Sequence, residues 1–94
     1  MLFDETTFER FDLNSLITFL VVYRDGGVTK AARALKVTQP AVSNVLSKLR
    51  HRFKDPLFHY RGAVLEPTPK AIEIAKTLEP AFNQIQGLLK EVNR

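Results

Sequence analysis

Residues 28–53 read VTKAARALKVTQPAVSNVLSKLRHRF, and the spacing of their apolar positions decides the fold. Val28, Ala31, Ala32 and Leu35 form a short stripe at helical spacing from Val28 to Lys36, and its alanines let another helix approach closely. After Lys36-Val37, Thr38 offers a hydroxyl N-cap, and Pro40 falls in the first turn, where its missing amide proton costs nothing. A longer helix therefore starts at this point. Val42, Val45, Leu46, Leu49 and Phe53 line one face of it at about 100° per residue, so Pro40, Ser43, Asn44, Ser47, Lys48 and His51 project from the opposite face. Two helices of about nine and fifteen residues, joined by a tight turn at Val37-Thr38, make a helix-turn-helix.

The flanks complete a small domain. Met1 to Arg10 hold no sustained period and read as an N-terminal extension. Asp12 is a good N-cap, Phe11 and Leu16 hold the spacing of a hydrophobic staple, and the stripe Leu13, Leu16, Ile17, Phe19, Leu20, Tyr23 runs on to a stop at Gly26-Gly27. Downstream, Asp55-Pro56 breaks the longer helix of this pair. Leu57 to Tyr60 and Val64 to Glu66 then read as two strands about the turn Arg61-Gly62-Ala63, a small wing. Thr68-Pro69 repeats the cap-plus-proline signature, and Ala71, Ala75, Leu78, Phe82, Ile85, Leu89 and Val92 alternate four and three residues as a coiled-coil seam, widened by Ile74, Ala81 and Leu88. That seam is more apolar surface than a lone helix leaves in water, and it predicts a partner surface. Pro80 falls at the outward heptad position, where a kink is expected and a break is not. The fold class is mainly α: a winged helix-turn-helix of three helices and a two-stranded wing, followed by a long linker helix. Residues 1–10 are the extension, 11–67 the winged helix-turn-helix domain and 68–94 the linker or dimerisation helix.

A chain of 94 residues has room for one small core and little for an enclosed active-site cleft. Its composition, 45% hydrophobic and 26% charged, is that of a chain that folds. No run approaches the length of a membrane span, and the opening Met1-Leu2-Phe3-Asp4-Glu5 is acidic where a secretory signal is basic, so a cytoplasmic protein is expected. With no cysteine, His51 and His59 are the strong metal ligands that remain, and neither a metal nor a cofactor is expected. The charge is unevenly spread. Residues 24–61 carry nine basic and two acidic side chains, a balance of +7, while the rest of the chain is at −3. A polyanion suits that middle segment, because phosphates neutralised by lysine or arginine release condensed counterions.

In a helix-turn-helix the second helix enters the major groove by its N-terminal end, where Gln39, Ser43 and Asn44 lie exposed. Carboxamides can pair with both N6 and N7 of adenine, so these residue types suit base reading. Thr38 and the helix N-terminus suit a phosphate, as do Thr29 and Lys30 at the start of the preceding helix, and Arg61 at the wing tip suits the backbone or minor groove. Ser43 and the histidines have no fixed acid and base beside a nucleophile, and an enzyme is not expected. The reading from another class is a protein-interaction module that uses the heptad helix and carries its basic face incidentally.

The run from Val28 to Leu35, then Thr38-Gln39-Pro40-Ala41-Val42-Ser43, Leu49, Phe53, Pro56 and Leu57-Phe58, resembles the LysR-type bacterial transcriptional regulators. Phe11-Asp12-Leu13-Asn14 and Pro67-Thr68-Pro69-Lys70-Ala71 resemble the branch containing the nodulation regulator NodD and the regulator LeuO. The resemblance implies a winged helix-turn-helix whose linker helix pairs with its mate in a homodimer on double-stranded DNA. It further implies a tetramer in a longer parent protein and a separate effector-binding domain beyond the linker. It assigns base or groove contact to Gln39, Pro40, Ser43 and Asn44, and places Thr29, Thr38 and Lys48 near phosphates. Two departures stand out: Asn44 where the family often has arginine, and Tyr60 where the wing usually has one. The expectation is a dimer on a pseudo-palindromic, AT-rich promoter element.

Overall fold

A computed structural model describes residues 1–93, and its elements follow the caps read from the sequence. Helix α1, Leu13–Asp25, begins where the Asp12 carboxylate accepts the Asn14 amide proton at 2.9 Å, and ends at Gly26, whose φ of 71° is open to glycine without strain. Helix α2 is Val28–Leu35, and α3 is Gln39–Phe53. Strands β1, Phe58–Arg61, and β2, Val64–Pro67, pair antiparallel with Tyr60 opposite Leu65 and Arg61 opposite Val64. Helix α4, Pro69–Val92, runs unbroken through Pro80.

The register corrects the wing reading by one residue. Arg61 ends β1 rather than sitting in the turn, and the turn is Gly62-Ala63 alone, with positive φ at Gly62 only. A two-residue loop with glycine first matches the right-handed twist of the flanking strands, which is why it closes more tightly than the three-residue turn expected. The extension is also more ordered than its sequence pattern suggests. Glu5–Phe8 form a 3₁₀ turn capped by Asp4, and the rings of Phe3 and Phe8 stack at 5.4 Å.

The core gathers one face from every helix and from both strands. Phe19 and Val22 of α1, Ala31 and Ala32 of α2, and Val42, Leu46 and Leu49 of α3 close on Leu57, Phe58 and Leu65 of the wing. Phe19 meets Phe58 at 5.5 Å between ring centroids. Ala71 and Ala75 join this core at 0% and 3% exposure, with Ile74 and Leu78 packed against it. The seam therefore does not run unbroken from Ala71 to Val92 as expected. Its first two turns are small residues that bring α4 against the body of the same chain, and those positions cannot meet a partner.

Two joints hold the helix-turn-helix and the wing in place. Between α2 and α3, Lys36 takes the left-handed conformation (φ 58°), and Val37 N–H donates to the Ala32 carbonyl at 3.0 Å, a Schellman closure made without glycine. Between α3 and α4, the Asp55 carboxylate accepts the Leu57 amide at 2.8 Å and the Thr68 hydroxyl at 2.7 Å, while the Thr68 oxygen caps α4 by accepting Ala71 N–H at 3.1 Å. Leu57, buried with φ 66°, is fixed in that strained conformation by this ring of bonds.

The same hydrogen bonds, that from Thr68 foremost, hold the Asp55 carboxyl below its ordinary range. A lowered folded-state pKa means stability that is fully present above the unfolded value, about 3.9, and is lost as pH falls through the folded one. The melting temperature of Asp55→Ala should therefore lie well below the parent's at neutral pH, and the gap should narrow below about pH 4. A gap that stays constant down to acid pH would show that the Asp55 charge does not hold this joint.

Candidate nucleic-acid interface

Helix α3 presents its two faces as the pattern predicts. Val42, Leu46 and Leu49 are buried, with Val45 and Phe53 half-buried, so the helix is locked by one side against α1 and α2. Gln39, Pro40, Ser43, Asn44, Ser47, Lys48 and His51 are all exposed. The stripe of Pro40, Ser43, Asn44, Ser47, Lys48 and His51 advances by three and four residues along one edge. The Thr38 hydroxyl accepts Ala41 N–H at 3.2 Å, which starts α3 and leaves the hydroxyl proton free to donate outward. Thr29 and Lys30, in the first turn of α2, are exposed as well.

The wing carries Arg61, 82% exposed in its side chain and 3.7 Å from Glu66 on the neighbouring strand. Its charge is thus partly answered within the chain, unlike that of Lys48. Tyr60 is exposed beside it, where the family resemblance leads one to expect arginine.

Of the nine cations between residues 24 and 61, three are engaged locally. Arg24 pairs with Asp25 at 2.8 Å, Arg61 approaches Glu66, and the Arg50 guanidinium donates to the Pro56 carbonyl at 3.0 Å. Arg50 is therefore a strut at the end of α3, although the charge count gives it no separate role. The other six, Lys30, Arg33, Lys36, Lys48, Arg52 and Lys54, are exposed and form no ion pair among the described residues. Exposed cations without counter-charges raise the local potential and attract a polyanion. No group of three metal-ligating side chains occurs among the described residues, and no helix there is long and apolar enough to cross a membrane.

The second half of α4 carries a separate feature. Ile85, Leu88, Leu89 and Val92 are 47%, 62%, 54% and 74% exposed, and a groove of about 800 Å³ runs between this half and the outer face of α1, where Leu13 and Ile17 are also exposed.

These elements define a winged helix-turn-helix domain with a basic, carboxamide-bearing recognition helix. Residues 13–72 match the family described as bacterial regulatory helix-turn-helix proteins, lysR family, and the chain belongs to that family. It is 40% identical over 79 residues to Nodulation protein D 2 of Sinorhizobium fredii, covering 84% of this chain and 25% of that protein. Among solved structures, the probable transcriptional regulator PA0477 from Pseudomonas aeruginosa superposes with a TM-score of 0.83 at 34% identity, over 87% of this chain and 28% of that one. The DNA-binding domain of BenM, solved in complex with catB site 1 DNA, shares the fold with a TM-score of 0.79 at 20% identity, over 89% of this chain and 93% of that one. The chain spans about a quarter of the length of the curated relatives it matches.

Proposed function

We propose that this chain is the DNA-reading head of a bacterial transcriptional regulator and that it occupies a pseudo-palindromic promoter element as a homodimer. The observation that carries the reading is the shared edge of α3, where the exposed carboxamide of Asn44 and the unpaired ammonium of Lys48 lie one turn apart. One group is suited to a base edge and the other to a phosphate. Gln39, Pro40 and Ser43 complete the groove-facing set, with Thr29, Lys30, Thr38 and Arg61 on the backbone. Replacing a guanidinium by the Asn44 carboxamide shifts the preferred base from guanine towards adenine, hence the AT-rich element. The BenM domain, of the same fold, was solved in complex with DNA, which supports a DNA duplex as the partner.

Residues 11–67 supply the reading head and α4, Pro69–Val92, the linker helix, rooted in the head by Ala71 and Ala75; the last residue of the expected linker, 68–94, lies outside the described residues. Pairing falls to the outer part of the seam, Phe82, Ile85, Leu89 and Val92, with the groove against Leu13 and Ile17 receiving the linker helix of a second copy. Where such a head is carried by a longer protein, its dimers associate further into tetramers. The protein works in the cytoplasm on the nucleoid.

Gel shifts over a salt series test this reading. The parent retains duplex at moderate salt, and Lys48→Ala weakens binding to all duplexes alike while lowering the slope of log affinity against log salt by about one unit. An unchanged slope would place Lys48 off the backbone. Failure of the parent to retain any duplex would leave the basic face incidental and the domain a protein-interaction module.

A further inference from the structure

The cationic surface extends beyond the helix-turn-helix. A cleft of about 600 Å³ opens between the start of α1 and the rear half of α3, bordered by Arg10, Asp12 and Ser15 on one side and by Lys48, His51 and Arg52 on the other. Arg10, Lys48 and Arg52 are exposed and form no ion pair among the described residues. The carboxylate at the rim, Asp12, is turned to its own helix, where it accepts the Asn14 amide proton at 2.9 Å. The cleft is thus lined by three cations that form no ion pair and by one carboxylate held against its own helix, so its walls keep an excess of positive charge.

Its place along α3 says what could fill it. Lys48 follows Asn44 by one turn, and Arg52 follows Lys48 by another, each about 6 Å along the axis. Pro40 and Arg52 are then separated by about 18 Å, more than the roughly 12 Å width of a major groove. With the front of α3 among the bases and its axis crossing the groove, its rear half lies at the groove wall, where one strand carries a phosphate every 3.4 Å or so of helix axis.

Resting on the DNA-reading function, we propose that this cleft is a second backbone-holding site, filled by adjacent phosphodiesters of the strand that borders the groove entered by α3. Arg10 and Arg52 grip from opposite walls and Lys48 links this grip to the recognition edge. The N-terminal extension, which lies outside the helix-turn-helix, is in this way part of the binding surface.

The test compares the parent, the double variant Arg10→Ala/Arg52→Ala and the charge-keeping Arg10→Lys/Arg52→Lys on random and selected duplexes, with thermal melts to check the fold. The double alanine variant should lose affinity equally on both duplexes and lower the salt slope by about two units, and the lysine pair should restore the slope. Ethylation interference should lose its signal at the flanking phosphates only. A parent that binds while the alanine variant keeps both its slope and its interference pattern overturns the cleft and leaves the DNA-reading function standing. A parent without duplex affinity overturns both. If a free phosphate ion is the occupant, inorganic phosphate at matched ionic strength will raise the parent's melting temperature while the slope stays unchanged in the variant, and that result also overturns the proposal.

Discussion

Asn44→Ala is expected to weaken binding to the selected duplex by about 1–3 kcal/mol and to leave binding to a random duplex nearly unchanged, with Gln39→Ala acting alike. Each 1.4 kcal/mol or so is a factor of ten in affinity, so the loss is large in a competition assay. The cause is the bidentate fit of a carboxamide to an adenine edge, which a methyl group cannot reproduce. Both side chains are exposed and have no hydrogen-bond partner within the chain among the described residues, so truncating them leaves the core untouched. Fluorescence titrations with each duplex separate the cases. An equal loss on selected and random DNA would show that these groups do not read bases.

Ile85→Asp combined with Leu89→Asp should give a folded monomer whose specific affinity falls far more than its nonspecific affinity. A single head touches too few bases to pick one promoter among the roughly million or more competing sites of a genome, so specificity depends on two heads held together. The two side chains are 47% and 54% exposed in the single chain and lie beyond the turns of α4 that join the core. Aspartate there meets solvent in the monomer but is buried when two linker helices pair. Leu78→Asp is a different experiment, because Leu78 packs against the core and a charge there undermines the head itself. Sedimentation decides the matter: a parent that stays monomeric at high micromolar concentration, or a double aspartate variant that stays dimeric, contradicts the pairing.

The parts of the fold that were legible in the sequence are those whose signals are local. Asp12, Thr38 and Thr68 announce helix starts because capping depends on residues two or three apart, and the stripe from Val42 to Phe53 fixes which face of α3 is left to solvent. Legible for the same reason was the exposed face of α3, since the exposed residues are what remains when the apolar stripe is removed. Contacts over longer separations were not. Asp55 and Thr68 each carry a local turn signal, but the bond that joins them spans 13 residues and the whole wing. Ala71 and Ala75 fit a heptad and also fit a close approach to the head, and periodicity cannot separate the two. The small size of both residues, like that of Ala31 and Ala32, was the available hint. Lys36 and Lys54 end their helices in the left-handed conformation where glycine is the usual marker, so the Schellman closure after α2 carried no sequence signal. The 3₁₀ turn of the extension is held by Asp4 and by one aromatic stack, too short for any period to show.

Selection from a pool of randomised duplexes at moderate salt tests the central claim most directly, because it asks the chain to choose a sequence. The account predicts an enriched element with two inverted, AT-rich half-sites whose centres lie one helical turn, about 34 Å, or a multiple of it apart. It also predicts that Asn44→Ala abolishes that enrichment while duplex is still retained. A pool that remains random after repeated rounds with the parent chain, although duplex is bound, would contradict it.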